Sequence, residues 1–254
     1  MENMATPAFN LEIIELETVS STNWYAAEFA RAGSVTEGTV IRAKFQTDGK
    51  GQGDNKWESE SGMNLTFSLI LKPLFLHPEN QFHLNKSIAL GVLDFVRNLN
   101  IPGEFKLKWP NDIYAGNRKL GGILINNTIT GSEYSMAIAG IGLNINQVTF
   151  DPLLPAPVSL KNLSGESYSL NTCFMDLLHC LSYRYTRLQT GYEQEIGNDY
   201  QQSLLGIDEE RSFVVSGTTV RGTIRGVDPF GRLIVEGPDK MLQLFIHREI
   251  EFIL

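Results

Sequence analysis

The chain has little chemistry of the usual conspicuous kinds. Only two cysteines and four histidines occur in 254 residues. Cys173 and Cys180 stand seven apart in a predicted helix, a rise of roughly 10 Å, which is too far for a disulfide within that helix. They read as two buried thiols of a reducing compartment. His77, His83, His179 and His247 show no ligand spacing to one another or to the cysteines, so no structural or catalytic metal site is expected. The GxSxG elbow, the GxxxxGK[ST] phosphate loop and GxGxxG are all missing. No apolar run approaches the roughly 18 residues that span a bilayer. The opening MENMATPAFNLEIIEL has no basic region followed by an apolar stretch, so no secretory signal is read there, and the expectation is a cytoplasmic protein with no membrane partner. Positive charge is also in deficit, with 21 Lys and Arg against 29 Asp and Glu and a net charge of −8. That balance argues against nucleic acid as a partner, because such binding needs a basic surface that displaces counterions.

What is present suffices for a folded core. Hydrophobic residues make up 42 % and charged residues 20 %, an ordinary globular composition. Strands are predicted at Leu11–Leu16, Gly38–Phe45, Asn64–Leu71, Phe105–Lys108, Ile113–Ala115, Leu120–Asn126 and Tyr134–Leu143. Helices are predicted at Trp24–Ala32, at about Leu84–Leu99 from the spacing of Ile88, Val92, Phe95, Val96 and Leu99, and from Phe174 to Leu188 with a second one following to Leu204. After Gly206 five short strands separated by Gly and Pro turns suggest a small β-barrel. The division therefore falls at 1–206 and 207–254, and hairpins mixed with helices place the larger part in the α+β class.

Four polar or glycine-rich segments stand out. Ser21-Thr22-Asn23 precedes a helix, where it caps the chain or offers hydroxyls and free N–H groups to a polar ligand. Gln46 to Trp57 alternates Gly49, Gly51 and Gly53 with Lys50 and Gln52. It is either a surface loop or a set of backbone amides facing an anion. Lys106 to Ile125 contains Lys108-Trp-Pro-Asn-Asp112 and then Lys119-Leu-Gly-Gly122. Its Gly116-Asn117 is a hairpin turn, but glycines inside a strand often mark close approach by a ligand or backbone. Gly140, Gly142 and Asn144 alternate along another strand, leaving room for a flat ligand or for a packed helix. Lysines, amides and bare backbone, with no evident nucleophile, suit a reaction in which phosphate charge is neutralised and reactants are held in line.

Taken together and in this order, these segments resemble the biotin–protein ligase family, over nearly the whole chain. The resemblance implies a class II synthetase-like catalytic domain, a mixed β-sheet flanked by helices, followed by an SH3-like barrel. Because the pattern begins by about residue 11, it implies the stand-alone class without an N-terminal DNA-binding domain. Biotin and ATP with Mg²⁺ are the implied substrates, and a biotin carboxyl carrier domain of acetyl-CoA carboxylase or another carboxylase is the implied acceptor. A homodimer is left open. By resemblance, Ser21, Thr22, Asn23 and Gln46 hold the biotin head, while Gly49, Lys50, Gly51 and Gln52 close over biotin and the adenylate. Trp57, Asn111, Gly142 and Asn144 hold the nucleotide. Gly121, Gly122 and Gly140 shape the biotin slot. Lys108 and Lys119 neutralise carboxylate and phosphate, and Asp112 orients the acceptor lysine.

The sequence departs from the family in its loop. Lys50 stands where the family commonly has arginine, Gln52 where many members have a second, and Asp54 replaces a glycine. Lysine lacks the planar fork of guanidinium, so weaker retention of the adenylate is expected. The rival readings are a lipoate–protein ligase, which shares fold and chemistry, and a biotin-binding protein without activity. A DNA-binding repressor is disfavoured by the acidic charge.

Overall fold

The computed structural model describes residues 9, 11–53 and 55–254; Asp54 lies outside them. The strands are β1 (Glu12–Val19), β2 (Thr39–Gln46), β3 (Leu65–Leu71), β4 (Phe105–Lys108), β5 (Asp112–Ala115), β6 (Arg118–Thr130) and β7 (Glu133–Leu143), then β8 (Glu210–Val215), β9 (Thr218–Val227), β10 (Leu233–Glu236), β11 (Leu242–Phe245) and β12 (Ile250–Phe252). The helices are α1 (Thr22–Ala32), α2 (Phe82–Asn98), α3 (Leu160–Ser164), α4 (Leu170–Gln189) and α5 (Glu193–Gln202).

The first seven strands form one mixed sheet in the order β1-β2-β3-β7-β6-β5-β4. Only β1 and β2 run parallel; the other neighbours are antiparallel. Side chains alternate between the faces of a strand, and the two faces bury different layers. Ile41, Ile70 and Ile138 meet Ala26 of α1 and Val35 on one face. Val40, Leu69 and Ala139 turn to the main core, shared with α2 and α4. Strand β3 is buried along its whole length, as a strand covered on both faces must be. Each leucine-sized side chain so buried contributes about 1.5–3 kcal/mol.

Caps set helix limits that hydrophobic spacing alone does not mark. Ser169 accepts from the Thr172 N–H at 3.3 Å and starts α4 four residues before the predicted Phe174. Ser159 and Asn162 form a capping box on α3, which is too short to show periodicity.

The last five strands form a second antiparallel sheet, ordered β11-β10-β9-β8-β12, whose edges are β11 and β12. No ladder joins those edges among the described residues, so the observed unit is an antiparallel sheet of five strands. Its Phe213, Leu233 and Ile250 belong to the same core cluster as the large sheet. The Trp109 indole donates to the Gly231 carbonyl at 2.9 Å, and Tyr200 donates to the Pro110 carbonyl at 3.0 Å. The first contact holds the second sheet, and the second holds α5, against the β4–β5 hairpin. Cys173 and Cys180 are buried free thiols, both pushed up to about 11 by burial. No helix among the described residues is long and apolar enough to cross a membrane.

Candidate active site

A cleft of about 1170 Å³ opens over one face of β7 and β6, between the β1–α1 turn, the loop after β2, the β4–β5 hairpin and the second sheet. Of the residues to which the resemblance gives a role in the site, all line it except Gly49 and Gly121.

Its floor is bare backbone. Ala139, Ile141 and Leu143 point into the core, so Gly140 and Gly142 face the cleft. A Cβ on Gly140 would fall 2.3 Å from Asn23 Oδ1, and one on Gly142 would fall 2.3 Å from the Trp57 ring. Gly142 lies beside Gly122 of β6, which widens the flat strip. Gly121 is a different case. It points to the opposite face, where a Cβ would press on the Gly142 carbonyl and the Leu143 side chain at 2.8 Å. Its lack of a side chain serves strand packing, and only Gly122 of the pair shapes the cleft. Gly49 sits against the Trp57 carbonyl, 2.4 Å from where its Cβ would be, and so lets the loop fold back on itself.

One end of the cleft is neutral and polar. Val19 pairs with Gln46 at the ends of the parallel strands, so the residues after each strand meet. Ser21 caps α1, accepting from the Trp24 N–H. Gln46 Oε1 accepts from the Thr22 N–H at 2.8 Å and its hydroxyl at 3.1 Å. Asn23 Nδ2 donates to the Leu124 carbonyl at 3.0 Å. Ser68 was not singled out in the sequence. Its buried hydroxyl donates to Asn23 Oδ1 at 2.6 Å and lies 2.8 Å from Thr22 Oγ1. It is an ordinary serine in a strand, and only the pairing of β3 with β7 shows its purpose.

The other end is charged. Lys108 and Asp112 face each other across the β4–β5 hairpin. Lys119 reaches Asp112 at 2.8 Å. Lys108 Nζ lies 4.9 Å from the Phe252 ring centre and 5.8 Å from that of Tyr114. Burial among these rings holds Lys108 below the usual lysine range, against the opposing pull of Asp112. Asn111 is tied to β6, its side-chain amide donating to the Ile123 carbonyl. The loop between the two ends is a small doubled strand, with the Trp57 N–H donating to the Gly49 carbonyl at 2.9 Å. Lys50 pairs with Asp48 and keeps that carboxyl below its usual range.

The second sheet closes the cleft with His247, Arg248, Glu251 and Phe252. Nothing local in those residues announces this, since their position depends on how the two sheets pack. The Pro-rich connection also joins the rim, because Lys119 N–H donates to the Ala156 carbonyl and Val158 N–H to the Lys119 carbonyl, both at 2.9 Å. Three residues of the lining carry buried polar atoms without a protein partner among the described residues: Gln52 Oε1, Trp57 Nε1 and Asn144 Oδ1. Asn144 Nδ2 is already committed to the Val158 carbonyl at 3.0 Å. Buried polar atoms ordinarily have partners, so the cleft fits a ligand with both donors and acceptors.

Residues 15–144 match the biotin/lipoate A/B protein ligase family. Over 248 residues the chain is 28 % identical to the bifunctional ligase/repressor BirA of Bacillus spizizenii, covering 95 % of this chain and 74 % of that protein. It is also 28 % identical over 228 residues to the biotin–[acetyl-CoA-carboxylase] ligase of Mycobacterium tuberculosis, covering 87 % and 83 %. The fold is that of the biotin protein ligase from Aquifex aeolicus solved with biotin and ATP, with a TM-score of 0.77, 24 % identity, and 94 % and 97 % of the two chains covered.

Proposed function

The chain belongs to the biotin/lipoate A/B protein ligase family, and on that premise we propose that its cleft activates biotin with ATP and passes it to a lysine of a biotin carboxyl carrier domain. The observation that carries this reading is the bare strip of Gly140, Gly142 and Gly122 running from a neutral amide pocket to a pair of lysines. Such a shape takes a flat, mostly apolar substrate with a polar head and an anionic tail.

The reaction has two steps. A biotin carboxylate oxygen attacks the α-phosphorus of ATP; the bond to the β-phosphate breaks and pyrophosphate leaves. The ε-amine of the acceptor then attacks the acyl carbon, AMP departs, and the ammonium proton is lost. Neither step needs a protein nucleophile, which matches a lining of lysines, amides and glycines. Ser21, Thr22, Asn23 and Gln46 take the head. Lys108 and Lys119 face the carboxylate and α-phosphate, where negative charge gathers in the first transition state. Trp57, Asn111 and Asn144 flank the nucleotide, and Mg²⁺ enters with the ATP phosphates.

The reading is tested by pyrophosphate release from purified protein with ATP and either biotin or lipoate. Release with biotin is the expected result. Release with lipoate only would move the chain to the sister activity, and release with neither would make it a binding protein. The acetyl-CoA carboxylase carrier is the proposed acceptor, supported by the name of the Mycobacterium tuberculosis relative.

The glycine strip makes its own prediction. In Gly142→Ala the new methyl can be placed only by moving the Trp57 ring. The expected result is a rise of about tenfold in the KM for ATP, the scale of one lost aromatic contact, with little change in that for biotin. Equal changes in both would mean that Trp57 does not flank the nucleotide.

A further inference from the structure

The loop from Gln46 to Met63 contains Lys50 and Lys56 but no arginine. A guanidinium nevertheless lies against it, supplied from the far end of the chain. A Cβ on Gly53 would stand 1.6 Å from Arg248 Nη2, 2.5 Å from its Cζ and 2.8 Å from its Nε, so the edge of the guanidinium that carries Nη2 and Nε closes on Gly53. Gly53 has φ +67, a conformation that also favours glycine. A side chain at position 53 would occupy the place of that edge.

Arg248 is presented by a turn built to hold it. The Glu249 N–H donates to the Ile246 carbonyl at 3.1 Å, and the Ile246 N–H donates to Glu249 Oε2 at 2.9 Å. Between them Arg248 adopts φ +78, a left-handed backbone costly for a residue with a Cβ. Arg248 shares the cleft with Lys50, Gly51, Gln52 and Lys108.

We propose that Arg248 is a positioning residue, a latch that fastens the loop carrying Lys50 to Trp57 onto the second sheet and so retains the acyl-adenylate between the two half-reactions. This deepens the biotin ligase reading and rests on it. The second sheet then contributes to the reaction through the loop, and the loop can lack arginine because one arrives from outside it. A guanidinium presents two donors side by side along that edge, in a fixed plane that a lysine ammonium cannot reproduce.

Arg248→Gly separates the latch from folding, because glycine suits the left-handed turn. Its Tm is expected to equal or exceed that of the wild type. Its single-turnover release of pyrophosphate should stay within about twofold of wild type, while labelling of a bystander protein, bovine serum albumin, by escaped adenylate rises about tenfold, the scale of a lost charge-assisted contact. Arg248→Lys should fall between, and Gly53→Ala should raise bystander labelling in the same direction as Arg248→Gly. A second readout needs no biotin: tryptic cleavage after Lys50 and Lys56 should accelerate about tenfold in Arg248→Gly by the same reasoning. Unchanged cleavage would overturn the latch even if the protein proved to activate another acid. Unchanged bystander labelling, or a fall in pyrophosphate release parallel to the rise in labelling, would overturn its role in retention.

Discussion

Replacing Lys108 with methionine is expected to slow biotin-dependent pyrophosphate release by about 100- to 1000-fold, the usual cost of removing one preorganised stabiliser of transition-state charge, without lowering Tm. The two halves of that expectation come from one feature. Lys108 is desolvated among Phe252 and Tyr114, and its ammonium is held below the usual lysine range by that burial. A cation that the fold disfavours contributes no stability in its charged form. With the folded pKa below the unfolded one, the unfolded chain binds more protons between the two values, so stability rises with pH through that window. At neutral pH the folded chain carries the charge at a cost, and methionine keeps the packing without it. The same poor solvation makes the cation effective toward a developing negative charge. Lys108→Arg keeps a charge that does not titrate, so the alkaline fall in adenylation expected of the wild type below the ordinary lysine range should move upward or vanish. Rapid-quench measurement of pyrophosphate against pH, with thermal unfolding of both variants, checks this. A Lys108→Met protein within threefold of wild type would remove Lys108 from the chemistry.

Much of this site was legible because its pieces are short and local. Ser21 to Asn23, the glycine loop, the Lys108 hairpin and the β7 glycines each carry an anomaly for their element: too many caps, too many glycines, or charge at a strand end. The expectation that Gly121 and Gly122 both shape the slot is corrected by the structure, which turns Gly121 to the opposite face, as the alternation of strand side chains requires of adjacent residues. Three things were not legible. Helix starts set by Ser169 and Ser159 lie in polar segments without apolar periodicity. Ser68 looks like any strand hydroxyl until β3 is placed beside β7. Arg248 and Phe252 reach the cleft only because Trp109 binds Gly231 and the two sheets share one core, a relation between residues more than a hundred positions apart. The five short strands were legible, but the barrel expected of them was not the unit observed: their arrangement as a sheet with β11 and β12 as edges depends on pairing that turn residues do not specify.

Asp112→Asn should separate the two half-reactions. Asp112 faces Lys108 across the hairpin and pairs with Lys119 at 2.8 Å, so it lies at the charged end where the acyl carbon of the adenylate would be presented. An acceptor lysine arrives as an ammonium, with an ordinary pKa of about 10.4, and must lose a proton to attack. A carboxylate beside the acyl carbon attracts the ammonium, orients the amine and receives the proton, a contribution of about 100-fold or more for a positioned base. Asparagine keeps the shape and one acceptor oxygen but neither charge nor basicity. It also releases Lys119 from its ion pair, which leaves more positive charge for the carboxylate and phosphate of the first step. The expected outcome is a burst of pyrophosphate equal to or faster than wild type, followed by transfer to the carrier lysine slowed about 100-fold, so that adenylate accumulates on the enzyme. Single-turnover transfer from preformed adenylate, measured beside the burst, decides it. Equal losses in both steps would place Asp112 with Lys108 in adenylation, and no loss in transfer would leave the carboxylate as the partner of Lys119 and nothing more.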